Sequence, residues 1–504
     1  MKALFILGTV RKNDYQYKTI FALKNVFEKM DIIYLKATYA YLPELDRLFD
    51  NKFYFGDIDW VRNEYFFSTD EREKLEEEIR DVENKTKLSF NRLLYSERGI
   101  HRGWTKYLYW KYPPKVERET LRHKDKVKMI MTHLYKFYKE IIDKTKPDVV
   151  ILHGVIGAVN FIPAVYCKYK NIPFLQFYPS TITHNQVFFS NNIWGFNHLA
   201  QREYKELLSK GQKGDINSLL EYIHNLEDYY TNSPNSHCRN SRTESMKLHR
   251  LLRNIAAHYL RNVILNNFRK LIGSKKAIYW KNFYEKNMLL HCFSWYLYGL
   301  LCRYRLKKFK NYNETELRQM KYIYFPLHWE PECSLYVNAP EFANQLFAVD
   351  LISKFLPFNM KLFVRDHFAN IGMRTSFFYS FLRNIPTVET INPYVSPFPF
   401  MKNSSLVITI NGTSGWQALC FKKPVITLGN TFYDILGLTY KIKDINVIDK
   451  EILNVINTHK IDDETEYLNK LALYKELEGK YSFDRNTDNQ EEITSLFVQA
   501  LNSK

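Results

Sequence analysis

Cysteine is scarce in this 504-residue chain, and no two of its six cysteines stand in C-x-x-C spacing: they fall at 167, 238, 292, 302, 333 and 420. That excludes a zinc knuckle and a dithiol redox motif, and scattered single thiols suit a reducing compartment. Glycine and proline are few, at 17 each, which argues against fibrous repeats and disorder. The opening MKALFILGTVRKND lacks a long apolar core and a small-residue cleavage site. It reads as a first strand, not a secretion signal, so a cytoplasmic protein is expected. The longest apolar stretch, Asn287 to Leu301, is about fifteen residues and contains His291. A spanning helix needs about 20, so a core or interfacial helix is expected there. No repeat of fixed period is visible, and no GxGxxG follows the first strand.

What is present is ordinary globular composition, 45% hydrophobic and 25% charged, in a chain too long for one core. Two or three domains follow. The net charge of +18 attracts polyanions, whether nucleic acid, anionic lipid or phosphorylated substrate. A solvated lysine-rich surface accounts for it equally well. No nucleic-acid-binding module accompanies the charge, so no nucleic-acid partner is expected.

Strand and helix signals alternate from the start: KALFILGT, a helical stretch near Thr19–Lys29, then DIIYLKAT. Residues 40–135 are charged and read as mostly helical. DVVILH, GVIGAVNFIPAVYCKYK and IPFLQFYP then form a strand–helix–strand unit. Such alternation predicts a parallel sheet covered on both faces. The rhythm breaks over 186–318, read as a basic helical insertion or linker. It carries Arg250, Arg253, Arg261, Arg269, Lys270, Lys275 and Lys276, then Arg303, Arg305, Lys307, Lys308 and Lys310 beyond the apolar run. This pairing suggests docking on an anionic membrane surface, which would make the protein peripheral to the inner membrane. From Lys321 the rhythm returns through YIYFPL, MKLFVRDH, TVETI, LVITI and PVITLG, with helices between. The expected fold class is α/β: two Rossmann-like parallel-sheet domains facing a cleft, at 1–185 and 319–450, with the insertion between them and C-terminal helices over 451–504.

Ligands of open α/β sheets bind beyond the carboxyl ends of the strands. His328, Glu330 and Glu332 follow YIYFP; Arg365, Asp366 and His367 follow MKLFV. Asn411, Gly412, Thr413, Ser414, Gly415 and Gln417 follow LVITI, and Asn430 follows PVITLG. The NGTSG turn is the most pointed of these. Glycine lets backbone approach a ligand, and the helix N-terminus presents free N–H groups to an anion. An ordinary N-cap would also explain Thr413 or Ser414. His367 beside Arg365 suits a phosphate, although a satisfied interdomain histidine is the plainer reading. Glu332 could accept from ribose hydroxyls, serve as acid or base, or simply begin a helix. No DxD-like pair stands at these strand ends, so no metal is expected.

YFPLHWEPECS, KLFVRDHF and ITINGTSGWQALCFKKPVITLG, in that order and spacing, resemble the bacterial capsule polysaccharide synthesis family, which includes β-Kdo transferases. The resemblance covers about Tyr322–Tyr440, and HGVIGAVN with IPFLQFYPS fits the family's first domain in order. It implies a GT-B fold and a glycosyltransferase moving sugar from a nucleotide-sugar donor to a capsule or other surface glycan or glycolipid. A CMP-linked, Kdo-like donor is the first candidate, a substrate and not a cofactor. His367 matches the histidine of the family's His-Pro motif, expected at the donor phosphate. Thr413, Ser414 and Gly415 match its phosphate-binding turn, and His328 and Glu332 match its Pro-Leu-His…Pro-Glu loop. Glu332 and His367 are thus the catalytic candidates. His328, Arg365, Asn411, Gly412 and Gln417 join His367 and the turn as donor-binding candidates. On the acceptor side the candidates are His153, Asp14 and Glu332. Phe368 stands where the family has proline, and Gln417 where it has glutamate. Two rival readings remain: a teichoic-acid-type polyol-phosphate transferase or sugar-nucleotide epimerase, and a non-catalytic glycan-binding scaffold.

Overall fold

The computed structural model describes residues 1–7, 14–35, 44, 47–55, 69–97, 124–155, 157–232, 252, 256, 304, 309–330, 332, 334–370 and 374–503. The apolar run 287–301 and the basic positions from Arg250 to Lys308 lie outside the described residues.

Two sheets organise the chain. The first uses β1 (Lys2–Leu7), β2 (Lys29–Leu35), β3 (Asn51–Phe55), β4 (Val149–Leu152), β5 (Phe174–Pro179), β6 (Gln186–Ser190) and β13 (Phe483–Asp484), ordered β13-β6-β5-β4-β1-β2-β3. Strands β1 to β5 run parallel, while β6 is antiparallel to both β5 and β13. The second uses β7 (Tyr322–Pro326), β8 (Lys361–Arg365), β9 (Val388–Ile391), β10 (Leu406–Thr409), β11 (Val425–Thr427) and β12 (Tyr440–Lys441). Its order is β12-β11-β10-β7-β8-β9, and every pairing is parallel. The α/β class with two parallel-dominated sheets, expected from the alternation of signals, is what forms.

Side chains of period two sort each strand between two cores. In β1, Leu4 and Ile6 join a core with helices Thr69–Thr86, Phe90–Ser96, Lys124–Thr145 and Ala158–Lys170. Ala3, Phe5 and Leu7 point the other way, toward helices Tyr15–Leu23 and Gln490–Asn502. In β7, Ile323 and Phe325 enter one core of the second domain, and Tyr322 and Tyr324 the opposite one. Strands buried on both faces read as unbroken apolar runs, which is why KALFIL and YIYF stood out.

The structure departs from the sequence reading at three places. The stretch 40–135 is not simply helical: Asn51–Phe55 forms β3, paired parallel with β2. Gln186–Ser190 belongs to the first sheet and not to an insertion. Beyond it, helices His198–Ser209 and Ile216–His224 supply Ala200, Tyr204 and Leu219 to a core shared with β7 and helix Glu464–Lys480. Finally, the tail does not end as polar helices alone. Residues 483–484 add a strand to the first sheet, and Ile493, Leu496, Phe497 and Ala500 complete its core. Among the described residues no helix is long and apolar enough to cross a membrane.

Helix Glu464–Lys480 carries a buried acid across this junction. Glu478 is only 4% exposed. Its Oε1 accepts from Ser180 Oγ at 3.0 Å, and its Oε2 is buried without a partner. Burial, offset in part by the hydrogen bond from Ser180 and the nearby polar groups of Asn197 and Tyr474, pushes its carboxyl up to about 7. The folded state therefore keeps this proton where the unfolded chain has released it. The associated stability is present below about pH 4.5 and is lost as the pH rises through about 7. The loss amounts to roughly 3 kcal/mol at most. Glu478→Gln should remove this part of the decline and be more stable than the wild type at pH 8, by urea denaturation at pH 5 and pH 8. An unchanged wild-type-minus-variant difference at the two pH values would show that Glu478 does not titrate in this range.

Candidate functional site

Three neighbouring strands of the second sheet, β10, β7 and β8, end beside one another, and their loops are tied by side chains. After β7, the His328 N–H donates to Gln345 Oε1 at 2.7 Å and the Glu330 N–H to Asn370 Oδ1 at 3.1 Å. After β8, Asn370 Nδ2 returns to the His328 carbonyl at 3.0 Å and to Asp366 Oδ1 at 3.2 Å. Beneath these loops lies Arg374, wholly buried. Its Nε donates to Asp366 at 3.0 and 3.2 Å, and its Nη1 pairs with Glu330 Oε2 at 3.1 Å. Tyr379 donates to Asp366 at 2.8 Å, and the Phe378 ring lies 4.0 Å from the guanidinium carbon. Burial pushes the Glu330 carboxyl up, although Arg374 and Gln345 favour its charged form. Glu330 and Asp366 are therefore supports for the loops.

Above this layer the candidates converge. The His328 ring is buried. Its Nε2 receives the Asn411 N–H at 3.4 Å, which places the ring proton on Nδ1, 3.7 Å from Glu332 Oε2. His367 stacks between Trp329, at 6.4 Å, and Phe368, at 4.4 Å between ring centres. Burial, helped by the charge of Arg365 and opposed by Glu332 and Asp366, pulls the His367 imidazole down to about 4. At neutral pH it is uncharged and offers one donor. Phe368 is buried against it.

The turn after β10 is held from below and behind. Thr409 Oγ1 accepts from the Gly412 N–H at 3.1 Å, and Tyr433 donates its hydroxyl to the Gly412 carbonyl at 2.7 Å. A Cβ on Gly412 would sit 3.2 Å from His328 Cε1, and one on Gly415 would overlap the Tyr433 hydroxyl. Position 415 therefore needs glycine for close approach, while at 412 a side chain would press the neighbours back by a few tenths of an ångström. Gly412 caps helix Thr413–Cys420 with no side chain, and while the Gly415 N–H donates to the Gly412 carbonyl at 3.1 Å, the Thr413 and Ser414 N–H groups meet no capping side chain. Thr413, Ser414 and Gln417 share the half-exposed side of that helix start.

Arg365 is placed differently from the expectation. Its Nη2 donates to the carbonyls of Pro393 and Val395 at 2.7 and 3.0 Å. It clamps the loop after β9 through Nη2, its Nε is buried without a partner, and its charge acts on His367. Asn430 donates to the Asn338 carbonyl at 3.5 Å and accepts from Lys441 at 2.7 Å. Sequence reasoning missed Gln345, Asn370, Arg374, Tyr379 and Tyr433; none lies at a strand end, and no motif marks them.

The site borders the first domain. The π-turn Ser334–Asn338 follows Glu332, and Asn338 donates to the Trp194 carbonyl at 3.3 Å. Arg92 donates to the Val337 carbonyl at 3.2 Å and lies 5.2 Å from the Trp194 ring. On the first domain, His153 follows β4, with its Nε2 3.3 Å from the Tyr15 hydroxyl and against the Gln16 amide. Burial pulls His153 to about 4, opposed by the charge of Asp14. Asp14 itself caps helix Tyr15–Leu23, accepting from the Tyr17 N–H at 2.9 Å. Among the described residues no group of three or more His, Cys, Asp or Glu side chains is placed to hold a metal ion.

Two parallel-dominated sheets, each with polar residues beyond its strand ends, define a two-domain α/β protein of the GT-B-like class. Residues 318–489 match the family described as Capsule polysaccharide biosynthesis protein, so the resemblance read from the motifs holds over this stretch. A 51-residue segment is 43% identical to the capsule polysaccharide export protein KpsS of Escherichia coli, covering 10% of this chain and 13% of that protein. A solved β-Kdo 2,7 transferase structure of Thermosulfurimonas dismutans KpsC is similar at 12% identity and TM-score 0.31, over 66% of this chain and 79% of that one. The UDP-GlcNAc 2-epimerase of Neisseria meningitidis, bound to UDP-GlcNAc, is similar at 13% identity and TM-score 0.28, over 99% of each chain. Structural similarity at these scores carries no weight of its own; the fold assignment rests on strand order and direction.

Removing the buried cation tests the support beneath the loops. Arg374→Met leaves Glu330 and Asp366 buried without their counterion, which should cost about 3–5 kcal/mol. Adding Glu330→Gln should recover part of that loss, because one orphaned charge is gone. Thermal denaturation of the single and double variants checks both, and a single variant as stable as the wild type would contradict the supporting role.

Proposed function

We propose that this chain is a glycosyltransferase of capsule or related surface-polysaccharide assembly, taking its sugar from a nucleotide-sugar donor held by the second domain. The observation that carries this reading is the convergence of His328, His367 and the Gly412–Ser414 turn at adjacent parallel strand ends. In this reading the donor phosphate sits at the N-terminus of helix Thr413–Cys420, where unpaired N–H groups and the helix dipole favour an anion. The neutral His367 donates to a phosphate oxygen as negative charge grows on the departing nucleotide. Glu332 and the Nδ1–H of His328 face the sugar side. A CMP-linked, Kdo-like sugar remains the first candidate donor. The acceptor enters from the first domain, where His153 and Asp14 stand, and the basic segment with the 287–301 run holds the protein to an anionic membrane surface.

The donor site is tested by His367→Ala and by the Thr413→Ala, Ser414→Ala double variant. A hydrogen bond to a charged group is worth roughly 1.5–3 kcal/mol, so each should cut donor turnover by about ten- to a hundredfold. Stability without ligand should change little, while stabilisation by added nucleoside monophosphate shrinks. Turnover is measured on a panel of CMP-, UDP-, GDP- and CDP-linked sugars. Epimerised product would favour an epimerase, and no turnover of any donor would favour a scaffold. Wild-type turnover and nucleotide stabilisation in both variants would place the donor elsewhere.

Membrane docking has its own test in liposome sedimentation. Each basic residue near an anionic surface contributes about 1 kcal/mol, less at high salt. Binding should therefore be stronger to anionic than to neutral vesicles, and equal binding to both, or none, would rule docking out.

A further inference from the structure

The carboxyl edge of the first sheet holds a polar cluster separate from the donor turn. Strands β1, β4 and β5 are parallel, so Asp14–Gln16, His153 and Ser180 stand along one edge. Strand β13 is antiparallel to β6, which is antiparallel to β5. It therefore runs with β5 and delivers Arg485, from the far end of the chain, to that same edge. The Arg485 N–H donates to the Asn185 carbonyl at 2.9 Å. Lys18 holds the following residues, donating to the Asn486 carbonyl at 2.6 Å and pairing with Asp488 at 2.9 Å. The Arg485 guanidinium carbon lies 5.5 Å from the centre of the Tyr15 ring, and the Tyr15 hydroxyl reaches His153.

Two atoms around this Tyr15–His153 pair are buried without a hydrogen-bond partner: Nε of Arg485 and Oε1 of Gln16. Gln16 is only 5% exposed. Buried polar groups are rarely left unpaired, because each costs about 1–3 kcal/mol and a charged one more. The two demands differ in kind. Arg485 needs an acceptor, best an anionic oxygen that its planar fork can meet. Gln16 Oε1 needs a donor. One molecule answers both if it carries a carboxylate or phosphate together with hydroxyl groups.

We propose that this edge is a subsite for a hydroxylated anion, a sugar acid or a sugar phosphate, with Arg485 taking the anionic group and Gln16 a hydroxyl. Its role as an acceptor subsite rests on the transferase reading; the binding itself does not. The C-terminal tail then contributes to ligand binding as well as closing the first core. Arg485 is a binding residue here, and no bond is made or broken through it.

The full chain is titrated with glucuronate, glucose 6-phosphate and glucose, with the thermal midpoint as readout. One or both anions should raise the midpoint and glucose should not. A response to glucuronate alone assigns a carboxylate, and one to glucose 6-phosphate alone a phosphate. Arg485→Met should raise the half-saturating anion concentration at least tenfold, with Arg485→Lys between it and the wild type. Stabilisation by nucleoside monophosphate should be unchanged in both variants. If Arg485→Met fails to fold, Arg485→Lys carries the comparison, since it keeps the charge and loses the fork. Equal response to glucose and the anions, or an unchanged response in the variants, overturns the proposal. Loss of nucleotide stabilisation in the wild type would instead overturn the donor reading and leave this one standing.

Discussion

One buried cation fixes the relation between the loops that carry the histidines. Arg374 lies between Glu330 and Asp366 with no exposure to solvent. Removing three charges from water is expensive, and replacing such a group by apolar side chains often stabilises a protein. Its use here is geometric. Glu330 belongs to the loop after β7 and Asp366 to the loop after β8, so a single guanidinium sets the spacing of His328 and His367. Asn370 and Gln345 add hydrogen bonds to the His328 backbone on both sides. Neither histidine can move independently without leaving a buried charge unpaired.

The second constraint is the path of the tail. Helix Glu464–Lys480 packs against the second domain through Tyr467, Leu471 and Tyr474, and the chain then crosses to the first sheet as β13. His198 Nε2 lies 2.6 Å from the Ser503 hydroxyl. On the other side Tyr474 stacks on Phe432, whose ring meets Tyr433, the residue that holds the Gly412 carbonyl. A continuous row of rings thus runs from the interdomain helix to the proposed phosphate turn. Such packing is close and does not deform smoothly, so a shift of the helix would be felt at Gly412.

Much of the second domain was legible because its strands are short apolar runs separated by helical stripes, and because strand ends are where polar residues collect. His328, His367 and the Gly412–Ser414 turn could be grouped on that basis alone. Strand β3 was hidden in a charged context, where NKFYF is one short apolar stretch between charged segments and only the following Gly56 marks an end. Strands β6 and β13 were hidden for a different reason. They pair antiparallel at the edge beyond β5, a connection that the strand–helix–strand rhythm does not announce. Arg374 was out of reach altogether. Its partners lie 8 and 44 positions back, at Asp366 and Glu330, and a lone arginine in a loop ordinarily faces water. Arg365 misled for the converse reason: a cation at a strand end was assigned to a ligand, and the chain spends it on the carbonyls of Pro393 and Val395.

That use of Arg365 changes the electrostatics of the proposed reaction. With its guanidinium turned to the β9 loop, Arg365 leaves the proposed site two imidazoles: His328, which lies against the turn, and His367, which burial keeps neutral. A neutral ring is a weaker partner for a dianionic phosphate than a cation, but its state depends on the ligand. In the proposed reaction, negative charge placed beside His367 would raise the ring's affinity for a proton. Glu332 and Asp366 already act in that direction, against burial and Arg365. An imidazole held neutral in the empty site avoids an unpaired buried cation there. Of the carboxylates near it, Glu332 is partly exposed, while Asp366, like Glu330, is turned into the protein. Asp366 and Glu330 face Arg374, and that orientation leaves the helix N-terminus and the two histidines as the groups the proposed reading assigns to a donor.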